Sequence, residues 1–205
     1  MKKFRKFQHI ERAEEPKSRK GMYLAIFLAV IMIGGIAGIF TNNPDADVTY
    51  GKFDFKNVNG LWETKINKQE VTFYFLPDQL SAVQFDEQAQ LRLKNSQAII
   101  LSFDPMQNET TKLQALDIFR FELANALASS GKQVGLGVSQ NTTLYNFPII
   151  TCANSSFVVP VLYAEYSTES SIKLNNDCII VFAENEQALI RATDYMKYIL
   201  YGVLE

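Results

Sequence analysis

The spacing of hydrophobic positions changes character along this chain. From Met22 to Phe40 run nineteen residues with no charge and no polar face. At a helical rise of about 1.5 Å per residue they nearly match a hydrocarbon core roughly 30 Å thick, which predicts a single membrane-spanning helix. Beyond residue 48 the period drops to two. Phe53 and Phe55 alternate with Lys52, Asp54 and Lys56, Trp62, Thr64 and Ile66 follow after Asn59-Gly60, and Val71, Phe73 and Phe75 follow after Asn67-Lys68. Asn-Gly favours the positive-φ turn of a tight hairpin, so the stretch predicts a three-stranded antiparallel meander ahead of Pro77-Asp78.

Near residue 97 the pattern changes again. AIILSF is a continuous apolar run ending at Asp104-Pro105, as in a strand buried on both faces. Leu116, Phe119, Leu123 and Leu127 then recur at helical spacing, with Thr111 and Gln114 in capping-box positions and Gly131 placed for a left-handed cap. QVGLGV returns as a strand, and a strand, a helix and a strand of these lengths make a parallel crossover unit. Further strands are predicted at PIITC, at FVVPVLYAEY, where Pro160 suggests an edge or a bulge, and at CIIVFA. A closing helix from about Glu186 to Tyr201 carries the stripe Ala188, Ala192, Tyr195, Ile199 and Val203, with Asn185 as its cap. Residues 79–95 fit a short helix or a strand equally. The fold class expected is mixed α/β: an N-terminal transmembrane helix, then one domain with an antiparallel three-stranded meander and a mixed sheet packed by two main helices.

Charge orients the expected span. Residues 1–20 hold eight Lys or Arg against three Glu, leaving twelve of the twenty basic and nineteen of the twenty-two acidic residues beyond position 20. Lys and Arg are retained on the cytoplasmic side, so residues 1–21 are expected as a cytoplasmic tail, 22–40 as the transmembrane helix, 41–47 (TNNPDAD) as a linker and 48–205 as an extracytoplasmic α/β domain. The location expected is the cell membrane, single-pass, with the lipid bilayer as a partner. A cleaved secretory signal is disfavoured, because its apolar region usually runs about 7 to 15 residues and ends in an Ala-x-Ala type site, absent before Thr41. Gly34 and Gly38 form a small-xxx-small pair through which two such helices could meet.

Arg19-Lys20-Gly21 before the apolar helix resembles the processing site of pilin-like precursors, although Met22 to Ile26 lack the Glu usual there. That resemblance implies cleavage after Gly21 and a filament core. More of the chain carries a second likeness: the basic tail and anchor, Trp62-Glu63-Thr64, the SFDP element at 102–105, and the Cys152 to Cys178 region ending in CIIVF and a helix. Together these resemble uncharacterised single-pass membrane proteins of archaea. The resemblance implies an archaeal surface location and no activity.

Candidate chemistry is limited by what is missing. The only histidine is His9, in the tail, so residues 48–205 cannot build a Ser-His-Asp triad, a His-paired cysteine or a His-ligated zinc site. Cys152 and Cys178, an even pair on the outer side, read as one disulfide, with two buried thiols as the alternative. No Cys-x-x-Cys occurs, and GLGVSQ at 135–140 lacks the third glycine of a dinucleotide fingerprint, its two glycines instead letting a helix pack closely. No metal and no cofactor are expected, and the acidic outer part argues against nucleic acid.

Asp104 ends a buried strand and precedes a helix, where open α/β sheets bind ligands; with Asn108 and Thr110 it forms a candidate ligand loop, plain turn chemistry being the alternative. Asn108-Glu109-Thr110, Asn141-Thr142-Thr143 and Asn154-Ser155-Ser156 fit the N-glycosylation acceptor pattern. Three functions follow as expectations. The first is a membrane-anchored, non-catalytic cell-envelope protein, a binding or surface-assembly module whose partner is another envelope protein or a second copy met through the membrane helix. The second is a pilin-like filament subunit. The third is a carboxylate-dependent hydrolase such as a glycosidase, its acids drawn from Asp104, Glu165, Asp177, Glu184 and Asp194, among which spacing singles out no pair.

Overall fold

The computed structural model describes residues 48–204, and Tyr23 ahead of them. The expected tail, the linker and the rest of the span from Met22 to Phe40, including Gly34 and Gly38, lie outside the described residues. Among those described, no helix is long and apolar enough to cross a membrane.

Residues 48–204 form two sheets with helices between them. The first sheet is the antiparallel meander, with four strands rather than three: β1 (Val48–Tyr50), β2 (Phe53–Val58), β3 (Leu61–Ile66) and β4 (Gln69–Phe73), in that order. β1 is only three residues long, too short to display a period. Both two-residue turns take left-handed backbone, with Asn59 at φ 53° and Gly60 at 85°, then Asn67 at 51° and Lys68 at 69°. These are the angles of hairpin turns matched to strand twist.

The second sheet is mixed and six-stranded: β5 (Gln84–Phe85), β6 (Ala98–Phe103), β7 (Gln133–Leu136), β8 (Val161–Tyr166), β9 (Ser171–Asn175) and β10 (Cys178–Ala183), in the order β5-β9-β10-β8-β6-β7. β10, β8, β6 and β7 are parallel neighbours, whereas β9 runs antiparallel to β10. Three helices pack against it rather than two: α1 (Glu87–Asn95), α2 (Thr110–Ser129) and α3 (Glu186–Leu200). The ambiguous 79–95 stretch holds both β5 and α1, with the Asp86 carboxylate accepting from the Ala89 N–H as the helix cap.

Four local expectations are corrected. PIITC is not a strand: Ile149 makes only an isolated bridge to Val138, and Thr151 and Asn154 bond each other's backbone around a 3-10 turn at Cys152–Asn154. Local side-chain bonds there outcompete a ladder. In FVVPVLYAEY only Val161–Tyr166 is a strand, and it lies inside the sheet, so Pro160 marks an entry rather than an edge or bulge. Thr111 does not cap α2, since its hydroxyl donates to Glu186 at 2.8 Å instead. The glycines of GLGV make room for side chains rather than for a helix. A Cβ on Gly135 would stand 3.1 Å from Ile100 Cγ1, and one on Gly137 would stand 2.8 Å from Ile150 Cβ.

α3 is the centre of the domain because it is buried on two sides. Leu189, Ala192, Met196 and Ile199 join the larger core with Ile99, Phe103, Leu123 and Val181. Tyr198 joins a second core with Phe55, Phe73 and Leu80. Its ring stacks on Phe73 at 3.9 Å between centroids, and Phe55 meets both edge-on. The Asn185 side chain accepts from the Ala188 N–H at 2.9 Å, as expected of a helix cap. Asn185→Ala is expected to lower stability by about 1 kcal/mol in a thermal unfolding measurement.

Candidate functional site

The chain passes from β6 through α2 to β7 on one side, then crosses back to place β8 on the other side of β6. The carboxyl ends of β6 and β8 therefore flank the point where strand order reverses, the crevice that binds ligands in open α/β sheets. Phe103 pairs with Ala164, so extending the register by one residue sets Asp104 beside Glu165. By strand alternation Ser102, Tyr163 and Glu165 share the sheet face turned away from the helices.

The two acids have different surroundings. The Asp104 carboxylate accepts from the Met106 N–H at 2.9 Å and from Gln140 Nε2 at 2.7 Å. The Glu165 carboxyl is pushed above the ordinary range, first by burial and then by the charge of Asp104. The Tyr163 phenol is also raised, chiefly by burial, with Ser139 opposing and Glu165 and Asp104 adding to the shift. A carboxyl that accepts two hydrogen bonds beside one biased toward its protonated form is a pairing in which two carboxyls have different surroundings.

Of the expected ligand loop, Asp104 alone joins this arrangement, while Asn108 and Thr110 are exposed farther along. The other three acids are elsewhere. Asp177 pairs with Arg92 at 3.0 Å, Glu184 is exposed, and Asp194 is fully buried against the meander. Sequence reasoning left Tyr163 and Gln140 unnamed. The alternation in VLYAEY could have placed Tyr163 and Glu165 on one face, but nothing local reveals that β8 returns beside β6.

Cys152 and Cys178 are joined by a disulfide, as expected, fastening the turn before β8 to the start of β10. The three sequon asparagines, Asn108, Asn141 and Asn154, are all exposed. Among the described residues, no group of three or more His, Cys, Asp or Glu side chains is placed to hold a metal ion.

A second polar cluster lies where α3 meets the end of β4. Asp194 has no exposed surface, and its Oδ2 accepts from the N–H groups of Tyr74 at 2.7 Å and Phe75 at 2.8 Å. Its Oδ1 has no hydrogen-bond partner and stands 3.6 Å from the Lys197 ammonium. Lys197, 2% exposed, donates to Glu122 Oε2 at 2.7 Å and to the Thr72 carbonyl at 2.6 Å. Tyr198 donates its hydroxyl to the Phe75 carbonyl at 2.7 Å. Burial pushes the Asp194 carboxyl up from 3.8 to about 6, with Lys197 and the two N–H groups opposing and Glu122 adding. A free acid raised in this way contributes stability that is complete below about pH 3.8 and is lost as pH rises through about 6.

The chain matches no protein-family model, no curated protein and no solved structure.

Proposed function

We propose that this is a membrane-anchored, non-catalytic envelope protein whose residues 48–205 face outward as a binding or surface-assembly module. The observation that carries the proposal is the Cys152–Cys178 disulfide, since such a bond forms and persists in oxidising compartments. The basic leader, the uncharged run and the acidic remainder independently favour the same orientation. On the sheet face away from the helices, Tyr163, Ile180 and Phe182 are only partly buried, which leaves apolar surface for an envelope partner.

The pairing of Asp104 with Glu165 favours one second reading, a carboxylate-dependent hydrolase such as a glycosidase. A single variant separates the two. The full chain carrying Asp104→Asn and Glu165→Gln should still co-purify from native membranes with the same stoichiometric envelope partner, or with itself, as the unmodified protein does. A protein that purifies without a partner, hydrolyses an envelope glycan, and loses that hydrolysis in the double variant would replace the binding module with the enzyme.

A further inference from the structure

The cluster around Asp194 contains the parts of an amide-forming site. Asp194 and Lys197 stand three residues apart on α3, so their side chains project from one face. The carboxyl is fully buried, and its unbonded Oδ1 lies 3.6 Å from the lysine ammonium. Its other oxygen already points into two backbone N–H groups at 2.7 and 2.8 Å. Two such donors would stabilise the negative charge that an oxygen acquires when a nucleophile adds to the carbon beside it. Glu122 Oε2 stands 2.7 Å from Nζ, with 24% of its side chain exposed, in position to take a proton and pass it to solvent. A groove of about 540 Å³ lined by Thr72, Glu122, Asn125 and Tyr201 opens beside them.

We propose that Lys197 and Asp194 condense without any cofactor into an intramolecular amide, with Glu122 as the proton carrier. The Lys197 ammonium gives one proton to the Glu122 carboxylate, and the freed amine adds to Cγ of the protonated Asp194. The adduct's negative oxygen is Oδ2, held by the Tyr74 and Phe75 N–H groups. Glu122 hands its proton to the Oδ1 hydroxyl and takes one from the nitrogen, the Cγ–Oδ1 bond breaks, and Oδ1 leaves as water. The C–N bond becomes a secondary amide, and Glu122 releases its extra proton through the groove. Nothing is oxidised or reduced. The product removes an ammonium and a carboxyl from a site where charge is costly, together with the unbonded Oδ1. It also abolishes the pH dependence that a free Asp194 imposes.

Trypsin digestion and mass spectrometry of the full chain, purified in detergent and then denatured, read the bond directly. Cleavage after Arg191 releases the C-terminal segment, whose one internal tryptic site is Lys197. The proposal expects residues 192–205 as one uncut peptide, lighter than its sequence by one water. Asp194→Asn should give the same product by losing ammonia instead, and Glu122→Gln should give full mass with ordinary cleavage after Lys197. An unmodified chain of full mass that is cut after Lys197 overturns the proposal. So does loss of water with that cleavage retained, which is the signature of a succinimide at Asp194. Unchanged bond formation in Glu122→Gln overturns the proton-carrier role.

Discussion

Lys197→Ala is expected to destabilise the domain by about 3–5 kcal/mol, because it strands the buried Asp194 without its partner, whether that partner is an ammonium or an amide nitrogen. The side chain does more than balance Asp194. It ties the Thr72 carbonyl of β4 and the Glu122 carboxylate of α2 to one point on α3. Alanine would leave a fully buried carboxyl with an unbonded oxygen and a strand-end carbonyl without its donor. The measurement is urea unfolding followed by the fluorescence of Trp62, the single tryptophan, which packs against the meander's core. Lys65→Ala supplies the contrast. Lys65 pairs with Glu70 at 3.6 Å, but both side chains are mostly exposed, and the midpoint should scarcely move. Equal midpoints for the two variants would mean that the buried cluster does not hold the meander to α3.

Replacing Cys152 and Cys178 together by serine is expected to lower stability by about 3.5 kcal/mol, from the chain-entropy estimate for a closed loop of this size. The two positions are 26 residues apart, and the loop they close contains all of β8 and β9. That loop also holds Ser155, whose hydroxyl donates to the Asp177 carbonyl and accepts from the Val161 N–H. Losing the cystine therefore frees the segment that starts β8 as well as the crosslink. Reductant added to the unmodified protein should move the unfolding midpoint toward that of the double variant. A midpoint indifferent to both changes would show that the bond contributes nothing to the folded state.

These two sites differ in how much of them the sequence revealed. An even cysteine pair in a segment expected outside the membrane is readable as a cystine without knowing the fold. The Asp194 cluster was hidden because a periodic stripe assumes that a helix has one buried side. Ala188, Ala192 and Ile199 mark the side toward the large sheet, whereas Asp194, Lys197 and Tyr198 occupy the other, where polar identity looked like solvent exposure. The meander turns and the AIILSF strand were legible because Asn-Gly and a fully apolar run are local signals. β5 was not, since a two-residue strand owes its existence to β9, far away in sequence, and β1 is too short to show a period. For the same reason Asp104 could be singled out by its place after a strand, while Glu165 became its neighbour only through the β6–β8 register.

The proposed envelope role requires residues 48–205 to lie outside the cell. Treating intact cells with a membrane-impermeant amine reagent and mapping the modified peptides tests this directly. Lys56, Lys65, Lys68 and Lys94 are exposed on the folded domain, while Lys2, Lys3 and Lys6 belong to the expected cytoplasmic tail. The predicted result is modification of the domain lysines in intact cells, with the tail lysines reacting only after the cells are opened. Tail lysines modified in intact cells while the domain lysines stay untouched would contradict it.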